Sequence, residues 1–185
     1  AIRIIGCVAP MRQEDDPVVY ARFMPVLVTG ASGFIGAHVV CELLARGYSV
    51  RAMLRDTALT NIFPDDSKLE IVKADLFDVN SLKNAVEGCE DVIHCAAALY
   101  VGVKDVKRDV VDPSVIGVQN LCSVMDGVKR IIHTSSVAAI RSTKFENGQI
   151  FTNKDWCDDA SETSNAYGFA KAEAEKIMRK WASDK

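Results

Sequence analysis

Apolar and polar positions fall in short blocks along this chain, and the blocks switch between a period of two and a helical period. Residues 25–29 read as a buried strand. The segment after them carries Ile35, Val39, Val40, Leu43 and Leu44 on one helical face, with Gly47 where a helix C-cap glycine belongs. Strands are predicted over 48–54 and 68–76, a short helix over about 81–87 with Gly88 as its stop, and a fourth strand over 91–97 that ends in small residues. Asp112-Pro113 predicts a helix start, Asp as N-cap and Pro at the first helical position. Its apolar face would hold Val115, Ile116, Val118, Leu121, Cys122 and Met125, and Gly127 would end it. Residues 128–136 read as a fifth strand and 141–163 as a polar loop. A last helix over 165–181 has Ala170, Ala174, Ile177, Met178 and Trp181 near one face.

Short apolar strands alternating with helices predict an α/β fold with a doubly wound parallel sheet, ordered 3-2-1-4-5. Ligands of such sheets bind beyond the carboxyl ends of the strands, near the switch point between the first and fourth. Gly33, Asp75, Ala96 and Ser136 fall at those ends. Residues 1–24 pass from apolar to sharply polar and are expected to be an N-terminal extension outside the fold, which then covers 25–185.

The turn after the first strand is Thr29-Gly30-Ala-Ser32-Gly33-Phe34-Ile35-Gly36. Glycine permits backbone angles and close approaches that a side chain would block, so N–H groups and the positive end of a helix can face a pyrophosphate. The spacing is one residue wider than the common G-x-G-x-x-G fingerprint, and a glycine-rich turn alone can be empty of ligand. The strand before it and the amphipathic helix after it favour a dinucleotide.

Tyr167-Gly-Phe-Ala-Lys171 puts a phenol and an ammonium on one helical face, one loop after Ser135-Ser136 closes the fifth strand. A phenol titrates near ~10 in water, and a close ammonium with a cationic nicotinamide ring would favour the phenolate. Such a tyrosine can exchange a proton with a carbonyl oxygen while Ser136 orients that oxygen. An isolated Y-x-x-x-K is ordinarily a surface pair; behind a dinucleotide turn it acquires chemistry.

Composition narrows the classes further. The chain has 185 residues and a net charge of −3, so no basic field points to nucleic acid. No apolar run is long enough to span a bilayer. The cysteines at 7, 41, 89, 95, 122 and 157 show no ligand spacing, and Cys41, Cys95 and Cys122 lie in apolar periodic segments; reduced core thiols and a cytoplasmic location are expected. His38, His94 and His133 have no ligand spacing either, so no metal site is expected. Lys104, Lys107 and Arg108 alternate with acids, as on a solvated face.

The glycine turn, Asp75-Leu76, His94-Cys-Ala-Ala97, Thr134-Ser-Ser136 and Tyr167-x-x-x-Lys171 together resemble the extended short-chain dehydrogenase/reductase superfamily, the NAD-dependent epimerases and dehydratases, whose fold is the Rossmann fold. Val50-Arg-Ala-Met-Leu-Arg-Asp56 and Glu87-Gly-Cys89 resemble its dihydroflavonol-4-reductase-like branch, with cinnamoyl-CoA reductases, aldehyde reductases and hydroxysteroid dehydrogenases. The resemblance covers about 25–181. It implies an NAD(P)-dependent oxidoreductase that reduces a small-molecule carbonyl. Tyr167 would be the proton donor, Lys171 would bind the nicotinamide ribose, and Ser136 would position the carbonyl. Gly30, Ser32, Gly33, Phe34, Ile35 and Gly36 would hold the cofactor, Asp75 and Leu76 its adenine, and the small Ala96 and Ala97 would let it pass.

At the end of strand two, Arg55 suits the 2′-phosphate of NADP, whereas Asp56 could serve an NAD ribose; NADPH is favoured. Members of that superfamily carry about as much chain again after the catalytic helix, including most of the substrate pocket, so a truncated Rossmann domain is expected here. A nucleotide-sugar epimerase or dehydratase and a non-catalytic NADP-sensing regulator are the alternatives. Substrate and oligomeric state are not legible.

Overall fold

The structure is a computed structural model that describes residues 24–98 and 102–185. Apart from Met24, the expected extension over 1–24 lies outside the described residues. The chain divides into two compact units: one runs to Ala96 and takes up Val124–Thr134, and the other holds Ala97–Ser123 and Ser135–Lys185.

In the first unit five parallel strands form one sheet: β1 (Val26–Thr29), β2 (Val50–Leu54), β3 (Leu69–Lys73), β4 (Asp91–His94) and β5 (Arg130–His133). Their order is β3-β2-β1-β4-β5, the expected doubly wound topology. The register is level at the carboxyl ends, where Thr29 pairs with Met53 and His94, and His94 pairs with His133. Single bonds carry the pairing slightly further, from Cys95 N–H to the Thr29 carbonyl at 3.2 Å and from Thr134 N–H to that of His94 at 3.0 Å. The strands are therefore shorter than their apolar patterns predict: β4 stops at His94, not 97, and β5 at His133, not 136. Small and hydroxyl residues continue the apolar pattern after the ladder has ended.

Helix α1 (Phe34–Ala45) packs Val40 and Leu44 against Val28, Val50, Ala52 and Leu54, all buried. Each of these valines and leucines contributes about 1.5–3 kcal/mol by leaving water. Two expectations for this helix fail. Ile35 is 53% exposed, and Cys41, expected in the core, is exposed too. The buried stripe runs through Gly36, Val40 and Leu44 at spacing four, and Cys41 is rotated past it by about 100°. Helix α2 (Val79–Val86) begins before the predicted 81 because Asp78 caps it, accepting from the N–H groups of Asn80 and Ser81.

The second unit is helical. A π turn, Lys107–Val111, runs straight into α3 (Asp112–Ser123), so Asp112 is not the N-cap its sequence suggests. Pro113 has no N–H and its ring crowds the carbonyl four residues back. The widened turn before it, closed by Asp112 N–H on the Lys107 carbonyl, relieves that conflict. Helix α3 also ends at Ser123, short of the predicted Gly127, and Ile116 on its expected apolar face is 37% exposed. Helix α4 (Ala166–Ser183) packs on α3, with Cys122 Sγ 3.9 Å from Met178 Sδ. Burial pushes the Cys122 thiol up to about 12. Lys107 and Arg108 are exposed and make surface ion pairs with Asp112 and Asp109, of little energetic weight.

Residues 141–163 form no helix or sheet strand. Asp159 ties the end of this stretch to its start: its carboxylate accepts from Ser142 Oγ at 2.8 Å, from Thr143 N–H and Oγ1, and from Lys144 N–H. The Thr143 hydroxyl leads in holding that carboxyl well below the usual carboxylate range. Among the described residues, no helix is long and apolar enough to cross a membrane.

Candidate active site

In the first unit the chain leaves β1 at Gly30 with φ +65°, the left-handed region that favours glycine. A Cβ there would lie 2.6 Å from the backbone nitrogen of Ala96, just past β4. A Cβ on Gly36 would lie 2.1 Å from the Gly30 carbonyl oxygen. Two glycines thus let a turn, a helix and the segment after β4 meet backbone to backbone. Gly33 is the N-cap of α1, and no side chain caps the helix. Ser32, Gly33, Phe34 and Ile35 are all exposed around that end. Uncapped N–H groups at the positive pole of a helix, with no side chain across them, fit a diphosphate.

The flanking residues are placed as follows. Arg55, directly after β2, is exposed and has no ion pair among the described residues. Asp56 spends one carboxylate oxygen capping the 3₁₀ turn Thr57–Ile62, 2.9 Å from Ala58 N–H. Asp75, two residues after β3, is half-buried; its Oδ1 accepts from Phe77 N–H at 2.9 Å, and its own N–H donates to Ser81 Oγ at 3.1 Å. Leu76 and Ala96 are half-buried, and Ala97, in the second unit, is exposed. Thr29 ties the end of β1 to that of β4 through a 2.7 Å bond with His94 Nδ1.

In the second unit Ser136 opens the 3₁₀ turn Val137–Ala139, and its Oγ accepts from Ala138 N–H at 3.1 Å. Among the described residues that hydroxyl has no acceptor for its own hydrogen. Helix α4 starts at Asn165, held at φ +57° and capping Gly168 N–H at 3.2 Å. Tyr167 is partly exposed and Lys171, one turn on, is 3% exposed. Tyr167 lines a cavity of about 510 Å³ with Val106, Glu162, Thr163, Asn165 and Ala166. A Cβ at Gly168 would lie 3.0 Å from the Ala138 carbonyl oxygen, so glycine there lets the serine turn sit close on α4.

The pattern of the NAD dependent epimerase/dehydratase family matches residues 26–185. The chain belongs to that family. Among its curated relatives, a dihydroflavonol 4-reductase of Hordeum vulgare is 34% identical over 86% of this chain and 49% of its own length. The cinnamoyl-CoA reductase CAD2 of Medicago truncatula is 32% identical over 86% and 53%. Among solved structures, the yeast methylglyoxal/isovaleraldehyde reductase Gre2, complexed with NADPH, superposes with a TM-score of 0.78 at 28% identity, covering 87% of this chain and 53% of that one. These relatives place the chain in the dihydroflavonol-4-reductase-like branch, and it spans about half of their length.

The branch motifs acquire a physical reason in the structure. Arg51 of β2 donates to Glu70 at 2.7 Å, to the carbonyls of Ala85 and Glu87 at 3.0 and 2.5 Å, and reaches Cys89 Sγ at 3.5 Å. It therefore binds the carbonyl end of α2 to the sheet, joining the strand-two motif to Glu87-Gly-Cys89. Sequence reasoning missed Arg51, Asn165, Gly168 and Glu175. The last is 2% exposed on α4 and accepts from Ser135 Oγ. For Gly168 the Tyr-Gly step was a visible signal; the partner of Glu175 is 40 residues away and left none.

Proposed function

We propose that this chain carries the cofactor-binding and proton-transfer residues of an NADPH-dependent carbonyl reductase acting on a small-molecule ketone or aldehyde. When bound, the cofactor supplies the hydride. Gly30, Ser32, Gly33, Phe34, Ile35 and Gly36 would hold its diphosphate, with the first-turn N–H groups of α1 as donors. Asp75 and Leu76 would meet the adenine, and Ala96 and Ala97 leave room beside it. Arg55 would fork the 2′-phosphate; its exposure without an ion pair, beside an Asp56 already committed to a cap, supports NADPH over NADH.

Tyr167 Oη gives a proton to the carbonyl oxygen as the alcohol forms. Ser136 Oγ–H donates to the same oxygen and stabilises the charge that develops on it. Lys171 would hold the ribose, one helical turn from Tyr167. The observation that carries this reading is the burial of Lys171, 3% exposed, one turn from a tyrosine that opens on a cavity. A lysine is almost never so buried unless its charge is paired, so the ammonium of Lys171 is held in place one turn from the phenol and not free in solvent. The intact Ser136, Tyr167 and Lys171 set favours an enzyme over a cofactor sensor.

The test is NADPH oxidation by the full-length protein against a panel of ketones and aldehydes, beside Tyr167→Phe. Losing the proton donor should lower kcat by about 10²–10⁴-fold, with NADPH affinity retained. An unchanged rate in the variant would overturn the assignment.

A further inference from the structure

Glu175 is a charged residue that the reduction, as drawn above, does not use, and it is 2% exposed. It lies on α4 one turn beyond Lys171 and two beyond Tyr167, on the same face. Both carboxylate oxygens are engaged. Oε2 accepts from Ser135 Oγ, and Oε1 accepts from Arg179, whose Nε and Nη2 lie 2.9 and 2.7 Å away. The guanidinium is itself held in place. It lies 5.2 Å from the centroid of the Trp156 ring, which also receives Lys176 at 5.4 Å, and its Nη2 reaches the Asn153 carbonyl at 3.4 Å. A buried ion pair is weak evidence for stability, since apolar side chains of like volume often serve as well. What this one does that apolar side chains could not is aim a fixed acceptor at Ser135, the residue bonded to Ser136.

We propose that Glu175 is a positioning residue for the carbonyl reduction: it clamps Ser135, and so the backbone that carries Ser136, to the helix that carries Tyr167 and Lys171. Two contacts then set the placement of Ser136 against α4, the Ser135–Glu175 bond on one side and the close approach of Gly168 to the Ala138 carbonyl on the other. The Arg179–Trp156 stack fixes the carboxylate rotamer so that the clamp does not slacken. This inference rests on the roles given above to Ser136 and Tyr167.

The test compares Ser135→Ala, Glu175→Gln, their double variant and Ser135→Thr in the full-length protein, with Tyr167→Phe in parallel. Steady-state reduction, NADPH affinity and thermal melting are read for each. Ser135→Ala and Glu175→Gln should each lower kcat by about 10- to 100-fold, the scale of an ångström-sized misplacement, with NADPH affinity within about twofold of the parent. The double variant should be no worse than the poorer single, because both changes act on the same Ser135–Glu175 contact. Ser135→Thr, which keeps the hydroxyl, should recover most of the rate. A parental kcat in Ser135→Ala, multiplicative losses in the double variant, or a loss that merely tracks lowered melting and lost NADPH binding would each overturn the clamp. An inactive Tyr167→Phe beside a fully active Ser135→Ala sinks the clamp alone, whereas an active Tyr167→Phe sinks the catalytic reading and the clamp with it.

Discussion

Replacing Gly36 by alanine adds one methyl group at the most crowded backbone contact of the nucleotide turn. The new Cβ would stand 2.1 Å from the Gly30 carbonyl oxygen, 2.8 Å from its carbon and 2.9 Å from the Ala31 Cα. All three neighbours are backbone, so no rotamer change can yield. Ordinary contact at 3.4 Å requires the start of α1 to retreat by about 1.3 Å. Overpacking of this kind costs about 1–3 kcal/mol, and rigid neighbours put it at about 2–3. For a chain of this length each kcal/mol moves the melting point by about 2–4 °C, so a drop of about 5–10 °C is expected. A displacement larger than a hydrogen bond tolerates also removes a charge-assisted N–H contact to a diphosphate, about 1.5–3 kcal/mol or about 10- to 100-fold in NADPH affinity. Scanning calorimetry and a calorimetric NADPH titration measure the two effects. Gly127→Ala, where a Cβ meets nothing within 4 Å, is the control and should change neither. A Gly36→Ala protein that melts and binds as the parent does would refute the cradle argument.

Two further outcomes follow from the same structure. Arg55→Ala should weaken NADPH by about 10- to 100-fold while leaving NADH nearly unchanged, as loss of a phosphate fork requires; equal weakening of both, read by quenching of tryptophan fluorescence, would remove Arg55 from that role. In alkylation by iodoacetamide at pH 8, followed by peptide mass, exposed Cys41 should label first among the cysteines of the described residues. Cys122, whose thiol is pushed up to about 12, holds only about one part in 10⁴ as thiolate at that pH and should label only on unfolding. Labelling of Cys122 at the rate of Cys41 in the folded protein would contradict its burial.

The strand order was legible because each apolar block was short, flanked by turn residues and separated by a helical period, which leaves little freedom once right-handed crossovers are imposed. Strand ends were not. Ala96, Ala97 and Ser135 look like strand residues by composition, and only the level register of Thr29, His94 and His133 shows that the ladder has already stopped. The start at Asp112-Pro113 misled because that pair suits an N-cap equally well as it suits the exit from a widened turn. Ile35 looks like core because a five-residue apolar set tolerates more than one helical face, and Cys41 because it sits within that apolar segment; the glycine contact at Gly36 chose the face. The nucleotide turn and the Tyr167–Lys171 pair could be named from spacing, being local in sequence. Arg51 and Glu175 could not, since the Glu87 carbonyl and the Ser135 hydroxyl lie 36 and 40 residues away and nothing in composition marks a hydrogen bond that closes over such a span.

The widened turn ahead of Pro113 has a consequence for homologous variation in length. A π turn holds one residue more than the helix needs, so Lys107–Val111 stores a spare position inside an otherwise regular rod. Excising one residue there would convert the bulge to α-helical pitch and swing everything upstream by about 100°. Val106, which lines the cavity beside Tyr167, would then be carried off its wall. The phase of that cavity wall is thus encoded in a residue count, and a proline seven positions after Val106 keeps the count fixed.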